Sequence, residues 1–297
     1  MKESHIVRYE NQTYDEERAL YGIGNAEIIN CAFYGAADGE SALKASRNIR
    51  ISDCRFLLRY PLWHVDGGQL DGCVMTDTCR AALWYDKDMR IENSSLGGIK
   101  ALRECDSTFL RKCSINSTEF GWFCRGIDLD ECSLHSEYPF LNSRDLDIRG
   151  LVLDGKYSFQ YVENMTIRNS ELNTKDAFWH SKNVTVLDSV IRGEYLAWYS
   201  ENLRLVRCTI IGTQPLCYAK NLVMEDCEML DCDLSFEMSD VHASLRGTLS
   251  SVKNPRSGTI TADAIGAIIL DEPGAGKNRC ILNERLSKSA LKAVDRT

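Results

Sequence analysis

Between Lys182 and Gly212 the chain writes one pattern twice. KNVTVLDSVIRG is followed nineteen residues later by ENLRLVRCTIIG, so that Asn183 matches Asn202, Val184 matches Leu203, Val186 matches Leu205, Ser189 matches Cys208 and Ile191 matches Ile210. Taking Ser189 and Cys208 as the marker, the same template falls backward on Ser170, Leu151, Cys132, Cys113, Ser94, Cys73, Cys54 and Cys31, and forward on Cys227, Arg246 and Ile265. Every step is nineteen except twenty-one from Cys73 to Ser94 and twenty-three from Cys31 to Cys54, which gives about 13 rungs. A fixed period of this length is the mark of a solenoid, whose units bury their apolar faces only by stacking on one another.

Within a rung the apolar residues alternate over three or four positions, as in Leu203 and Leu205 around Arg204. Period-two alternation predicts short strands with one face inward, and no 3.6-residue periodicity sustains a helical repeat. Each rung is expected to hold roughly three short strands joined by tight bends. The predicted fold is all-β, a single-stranded right-handed parallel β-helix, right-handed by the crossover rule. The bends carry Asn25, Asn48, Asn164, Asn183, Asn202 and Asn221, with Asp88, Asp145 and Asp240 in other rungs. Asn and Asp tolerate the left-handed conformation of a sharp bend, and stacked amides bond along the coil. We expect this column to be structural.

The reading divides the chain into a lead-in or cap (1–24), the β-helix (25–270), and a C-terminal loop with a short capping α-helix (271–297). DEERAL (Asp15–Leu20) reads as a turn of helix over the first rung, and residues 280–296 as an amphipathic helix bearing Ile281, Leu282, Leu286, Leu291 and Val294. From Ser94 to Ile265 the period is read as unbroken. The extra residues of the early rungs, GAADGE (Gly35–Glu40) and TDTCRAA (Thr76–Ala82), are expected to be loops. GAGK at 274–277 lacks the upstream glycine and following Ser or Thr of a phosphate loop.

Of the thirteen cysteines, Cys31, Cys54, Cys73, Cys113, Cys132, Cys208 and Cys227 fall in the inward marker column, alternating with serine. That suits small, buried, free thiols in a reducing compartment better than disulfides or a metal site, and no CxxC occurs. The start of the chain lacks an apolar signal stretch and no window approaches eighteen apolar residues, so the expected location is cytoplasmic with no membrane partner. A net charge of −8 offers no basic face for nucleic acid. Charges one residue before the bend alternate from rung to rung (Asp66, Lys87, Asp106, Arg125, then Glu163, Lys182, Glu201, Lys220), an expected outer salt-bridge ladder broken where Arg125 meets Arg144. No cofactor and no metal are expected.

Three columns remain as candidates for function. Four residues before the bend stand Trp63, Trp84, Trp122, Trp179 and Trp198, all five tryptophans of the chain, with Lys44, Arg103 and Gln160 in the same slot. Three before it lie His64, Tyr85, Glu104, Phe123, Tyr161, His180, Tyr199 and Tyr218; seven before it lie Tyr60, Lys100, Glu119, Tyr138, Tyr157, Asp176, Tyr195 and Gln214. An outward face of rings and carboxylates suits stacking on sugars. If the register is shifted, the tryptophans are instead a buried ladder. The candidate ligand-binding residues are Trp179, Trp198, Asp176, Tyr195, Tyr157, Glu119, His180 and Tyr199. Glu119 and Asp176, three rungs apart, and His64 and His180, six apart, are too far separated for shared acid–base work, so no catalytic residue is named.

GESALKAS, YPLWHVD, KYSFQYVEN, KDAFWHSKNV, GEYLAWYSENL and GTQPLCYAKNL resemble the signature blocks of a bacterial family of right-handed β-helix proteins of unknown function within the pectin-lyase-like superfamily. The resemblance runs from about Glu16 to Ile265. It implies the fold and carries over no site residue. The paired-Asp, Gly-His-Gly and Arg-x-Lys motifs of the superfamily's polysaccharide-cleaving members are missing here. The chain is thus read as a carbohydrate-binding or carbohydrate-processing protein with an oligosaccharide or polysaccharide partner. The alternative is a non-enzymatic scaffold. Ligand identity, oligomeric state and any reaction are not legible in the residues.

Overall fold

The structure is a computed structural model that describes residues 6–35, 40–272 and 279–286. Residues divide into two compact units, 1–156 and 157–297. Each is a parallel β-solenoid. In the first, six-residue strands Gly24–Ile29, Arg47–Ser52, Asp66–Asp71, Lys87–Glu92, Asp106–Arg111, Arg125–Asp130 and Arg144–Arg149 pair in succession. Ile28 registers with Ile51, Ile51 with Leu70, Leu70 with Ile91, Ile91 with Leu110 and Leu110 with Leu129. In the second, Glu163–Arg168, Lys182–Leu187, Glu201–Val206, Leu222–Leu230, Asp240–Arg246, Ser257–Ala262 and Arg279–Glu284 do the same. A second short strand follows the marker residue, as in Val190–Arg192 and Thr209–Ile211.

Both units hold the expected inward columns. Cys31, Cys54, Cys73, Ser94, Cys113, Cys132 and Leu151 are buried in the first, and Ser170, Ser189, Cys208 and Cys227 in the second. The column five before the bend packs Leu43, Leu62, Leu83, Leu102 and Phe140 in the first unit, and Phe159, Phe178, Ala197 and Leu216 in the second. Phe33 and Phe56 stack at 4.8 Å, and Phe159 and Phe178 at 5.2 Å. The bend asparagines have positive φ, and Asn183, Asn202 and Asn221 bond amide to amide at 2.8–3.1 Å. In the charge ladder Lys182 reaches Glu163 at 3.9 Å, while Arg125 escapes Arg144 by pairing with Asp145 at 3.2 Å.

The third side of the rung differs from expectation. In the first unit it is a strand at Leu62–Trp63, Leu83–Trp84 and Leu102–Arg103, and in the second Thr248–Lys253 runs onto it, with Val252 bridged to Ser235, and pairs with Ala264–Ile269. Elsewhere it is a ribbon of turns with positive φ at alternate residues, such as Tyr195 (58°), Ala197 (57°) and Tyr199 (59°). The ribbon still bonds to its neighbours, because Tyr195 and Tyr199 donate to Thr213 and Cys217 carbonyls on one side and Ala197 to Ala177 on the other. β-Branched side chains fit this conformation worst, and the slots seven, five and three before the bend hold none.

Four further expectations are corrected. The coil begins before residue 25: Val7–Glu10 pairs with Gly24–Ile29, and DEERAL forms no helix but a turn whose Arg18 and Leu20 N–H groups donate to Glu40 and Ala42 carbonyls. TDTCRAA does not stand out as a loop at its centre, since Cys79 is fully buried. The period slips between Met224 and Cys227, where a bulge brings Leu245 rather than Arg246 opposite Cys227. The bulge keeps Leu245 in the core and leaves Arg246 outside, 3.1 Å from Asp226, and the steps then shorten: Ala243 registers with Ile260 and Leu249 with Ile265. Finally, the described part of the expected C-terminal helix is the strand Arg279–Glu284, paired in parallel with Ser257–Ala262. An apolar run this short fits either period, and the unpaired edge of Ser257–Ala262 decides it. Residues 287–296 of that helix, GAGK at 274–277 and most of GAADGE lie outside the described residues.

Candidate functional site

The turn ribbon sets the aromatic columns. Its positive-φ residues break strict alternation, so that the residues six and five before the bend are both buried (Leu196 and Ala197 in one rung), and the tryptophan four before it turns outward, part-exposed. Trp179 and Trp198 nevertheless stack, with centroids 5.4 Å apart and planes at 3°. Their Nε1 groups donate to the Tyr195 and Gln214 carbonyls of the following turn at 2.7 and 2.8 Å. Platform and ladder are therefore combined. The tryptophans lie at the surface, yet one face of each covers the other.

Beside them runs a second ladder. His180 stacks between Tyr161 (4.9 Å) and Tyr199 (5.0 Å), and Tyr199 stacks on Tyr218 at 4.8 Å. Tyr161 is 50% exposed and Tyr199 46%. On the other flank stand Tyr157, Asp176 and Tyr195, with Tyr195 edge-on to Trp198 at 5.4 Å. Of the predicted site residues, Trp179, Trp198, Asp176, Tyr195, Tyr157, His180 and Tyr199 thus share one band of the second unit.

Glu119 belongs to the first unit, whose band is built differently. Trp63 stacks on Trp84 at 5.2 Å, and His64 on Tyr85 at 5.1 Å. Lys44 holds its Nζ 3.4 Å from the Trp63 ring centroid. Lys100 Nζ lies 3.1 Å from Glu119 Oε2 and 5.8 Å from the Trp122 ring. The contact with Glu119 is one of charge rather than an aligned hydrogen bond. Trp122 Nε1 donates to the Tyr138 carbonyl at 2.6 Å, whereas the Nε1 groups of Trp63 and Trp84 are buried with no hydrogen-bond partner among the described residues.

Asp176 is the exceptional acid of the second band. It is only 7% exposed, and burial, followed by the neighbouring Glu194, pushes its carboxyl above the usual range against the pull of Lys175. Two other acids escaped the column reading. Asp86 is fully buried, takes the Val65 N–H on Oδ1 at 2.8 Å and leaves Oδ2 without a partner; burial drives its pKa well up. Asp128 registers with Asp147 on the outer sheet, and burial and that neighbour raise its pKa. The signal for the pair was the repeated IDL and LDI in one slot. A groove of about 360 Å³ in the first unit holds none of the predicted site residues: Asn25, Asn48, Arg50, Gln69 and Arg90 line it around Gly67. Gly67 has φ +74°, and a Cβ there would meet Asn48 Oδ1 at 2.9 Å, so a side chain at this point would have to push the Asn48 amide aside.

Among solved structures the chain is similar to the surface adhesin PfbA of Streptococcus pneumoniae, at 7% identity and a TM-score of 0.44 over 94% of this chain and 84% of that one. It is likewise similar to the A-module of the Azotobacter vinelandii mannuronan C-5 epimerase AlgE4, at 10% identity and a TM-score of 0.38 over 82% and 91%. A tailspike protein of E. coli bacteriophage HK620, solved with a pentasaccharide, matches at 8% identity and a TM-score of 0.36 over 93% and 70%. No curated protein matches the chain. The model of the family described as a protein of unknown function, DUF3737, matches residues 7–283, and the chain belongs to that family.

Proposed function

We propose that this is a carbohydrate-binding protein that takes an oligosaccharide across the aromatic band of its second unit. The observation that carries the reading is the pair of neighbouring ring ladders, Trp179–Trp198 and Tyr161–His180–Tyr199–Tyr218, at a solvent-facing surface. Aromatic groups with one apolar and one polar end are the usual equipment of a surface that must be wet when free and covered when bound. Ring edges and tyrosine hydroxyls face hydroxyl-rich ligands well, and the recessed Asp176 adds an acceptor. No cleavage is proposed, and Glu119 is already matched by Lys100. A cytoplasmic location goes with the many buried thiols.

The tied indole N–H groups of Trp179 and Trp198 favour a second reading, in which the ladders brace a non-enzymatic scaffold. A glycan array followed by tryptophan-fluorescence titration separates the two. Saturable quenching or enhancement by an oligosaccharide supports the first reading. No response to any glycan on the array leaves the scaffold.

A further inference from the structure

The first unit seats its own ammonium groups on its tryptophan column. Lys44, in the tryptophan slot one turn before Trp63, lies over that ring, whose far side is stacked on Trp84. Lys100, one turn before Trp122, stands between the Trp122 ring and the carboxylate of Glu119, three residues before that tryptophan. Both lysines mark the same kind of place. It is the preceding-turn side of a tryptophan, where an indole face attracts a cation, and at Lys100 the acid Glu119 completes the pairing.

The second unit repeats this arrangement without the cations. Asp176 precedes Trp179 by three residues as Glu119 precedes Trp122, and Trp179 is stacked on Trp198 as Trp63 is on Trp84. Tyr157 stands in the slot of Lys100. Gln160 stands in the slot of Lys44, its Nε2 donating to the Asp176 carbonyl at 3.3 Å. Among the described residues no lysine or arginine lies over Trp179 or Trp198, and the Asp176 side chain has neither a hydrogen bond nor an ion pair. Asp176 is only 7% exposed as a residue and its carboxyl has no partner among the described residues, and a bound cation would complete it.

We infer that the face of Trp179 turned toward Gln160, with Asp176 beside it, binds the protonated amine of an amino sugar. This rests on the carbohydrate reading above and narrows it from hydroxyl-rich ligands to sugars with a free 2-amino group. The indole face holds the ammonium as the Trp63 ring holds Lys44, and Asp176 accepts its N–H as Glu119 faces Lys100. Gln160 and Trp179 are part-exposed, so an amine can approach from solvent.

The test is tryptophan-fluorescence titration of the whole chain near pH 6 with four probes: chitosan tetraose, its fully N-acetylated counterpart, cellotetraose and ethylammonium chloride. Chitosan tetraose should bind at least tenfold more tightly than the N-acetylated or neutral tetraose. Asp176→Asn should weaken it at least tenfold. Gln160→Lys, which restores the Lys44 arrangement, should also block it, and serves as the second variant if Asp176→Asn does not fold. Equal affinity for chitosan tetraose and cellotetraose overturns the amine site and leaves the carbohydrate reading standing. Ethylammonium binding with nothing gained from the sugar keeps the cation site and overturns the sugar. Unchanged affinity in both variants overturns the site, and no response to any of the four probes overturns the amine site while the glycan array decides the carbohydrate reading.

Discussion

Trp179 and Trp198 lie ring on ring across two successive turns, 5.4 Å apart, each tied by its indole N–H to a carbonyl of the following turn. The contact is neither core nor bare platform, and its stability should reflect that. Trp179→Ala removes a stacked pair, worth about 0.5–1.5 kcal/mol, and one hydrogen bond, worth about 1 kcal/mol. A loss of about 2 kcal/mol in chemical denaturation is expected. Trp179→Phe, which keeps the stack and loses the bond, should cost about 1 kcal/mol. A loss of about 3–5 kcal/mol for the alanine would mark the column as core instead.

The bend column should respond to backbone conformation more than to its amides. Asn202 has φ 56°, donates to Asn183 Oδ1 at 2.8 Å and accepts from Asn221 at the same distance. Asn202→Gly and Asn202→Ala both lose these exposed bonds, but only glycine adopts the left-handed conformation without strain. The alanine variant should be about 1 kcal/mol less stable than the glycine variant. Equal midpoints would put the weight on the amide ladder.

The thiols make a labelling prediction. Cys31, Cys54, Cys113, Cys208 and others are buried, and burial pushes Cys54 up to about 12. Cys280 is only part-buried, and burial lifts it to about 11. With the thiolate as the reacting species, native protein at pH 8 should label first at Cys280, about a hundredfold more slowly than a free thiol. The remaining cysteines should react only on denaturation. Fast native labelling at Cys54, Cys113 or Cys208 would contradict their inward placement.

The stacked columns were legible because a nineteen-residue step multiplies every inward choice down the coil. Cys54, Cys113, Cys208 and the bend asparagines could be placed from sequence, and the structure holds them there. What sequence alternation does not carry is the sign of φ. Positive φ at Tyr195, Ala197 and Tyr199 puts two consecutive residues inside and turns Trp198 out, a choice that periodicity left open. Column reading also averages away single exceptions. Asp86 occupies a slot otherwise filled by residues such as Ser46, Val65, Cys105, Cys124 and Ser143, and Leu245 replaces Arg246 through one bulge. For the candidate site, the slots of Lys44, Gln160 and Asp176 were readable. The stacking planes that give them meaning were not.

Asp86 supplies a pH dependence. Its carboxyl is fully buried with one oxygen unpartnered, and burial raises its pKa well above the ordinary carboxylate value of 3.8. The folded chain therefore holds this proton to higher pH than the unfolded chain does. Stability from the protonated acid is fully present below about 3.8 and is lost as pH rises through the raised folded pKa. Asp86→Ser should remove this dependence and keep the bond to Val65, because serines serve the same slot elsewhere: Ser143 accepts from Cys124 N–H at 2.9 Å and Ser239 from Ala219 N–H at 2.8 Å. Relief of the unpartnered oxygen should make the variant about 1–3 kcal/mol more stable than the parent at pH 8. The difference should shrink toward pH 4. Urea midpoints of both proteins across that range measure it, and two parallel curves would show that Asp86 is not the buried, protonated acid the geometry describes.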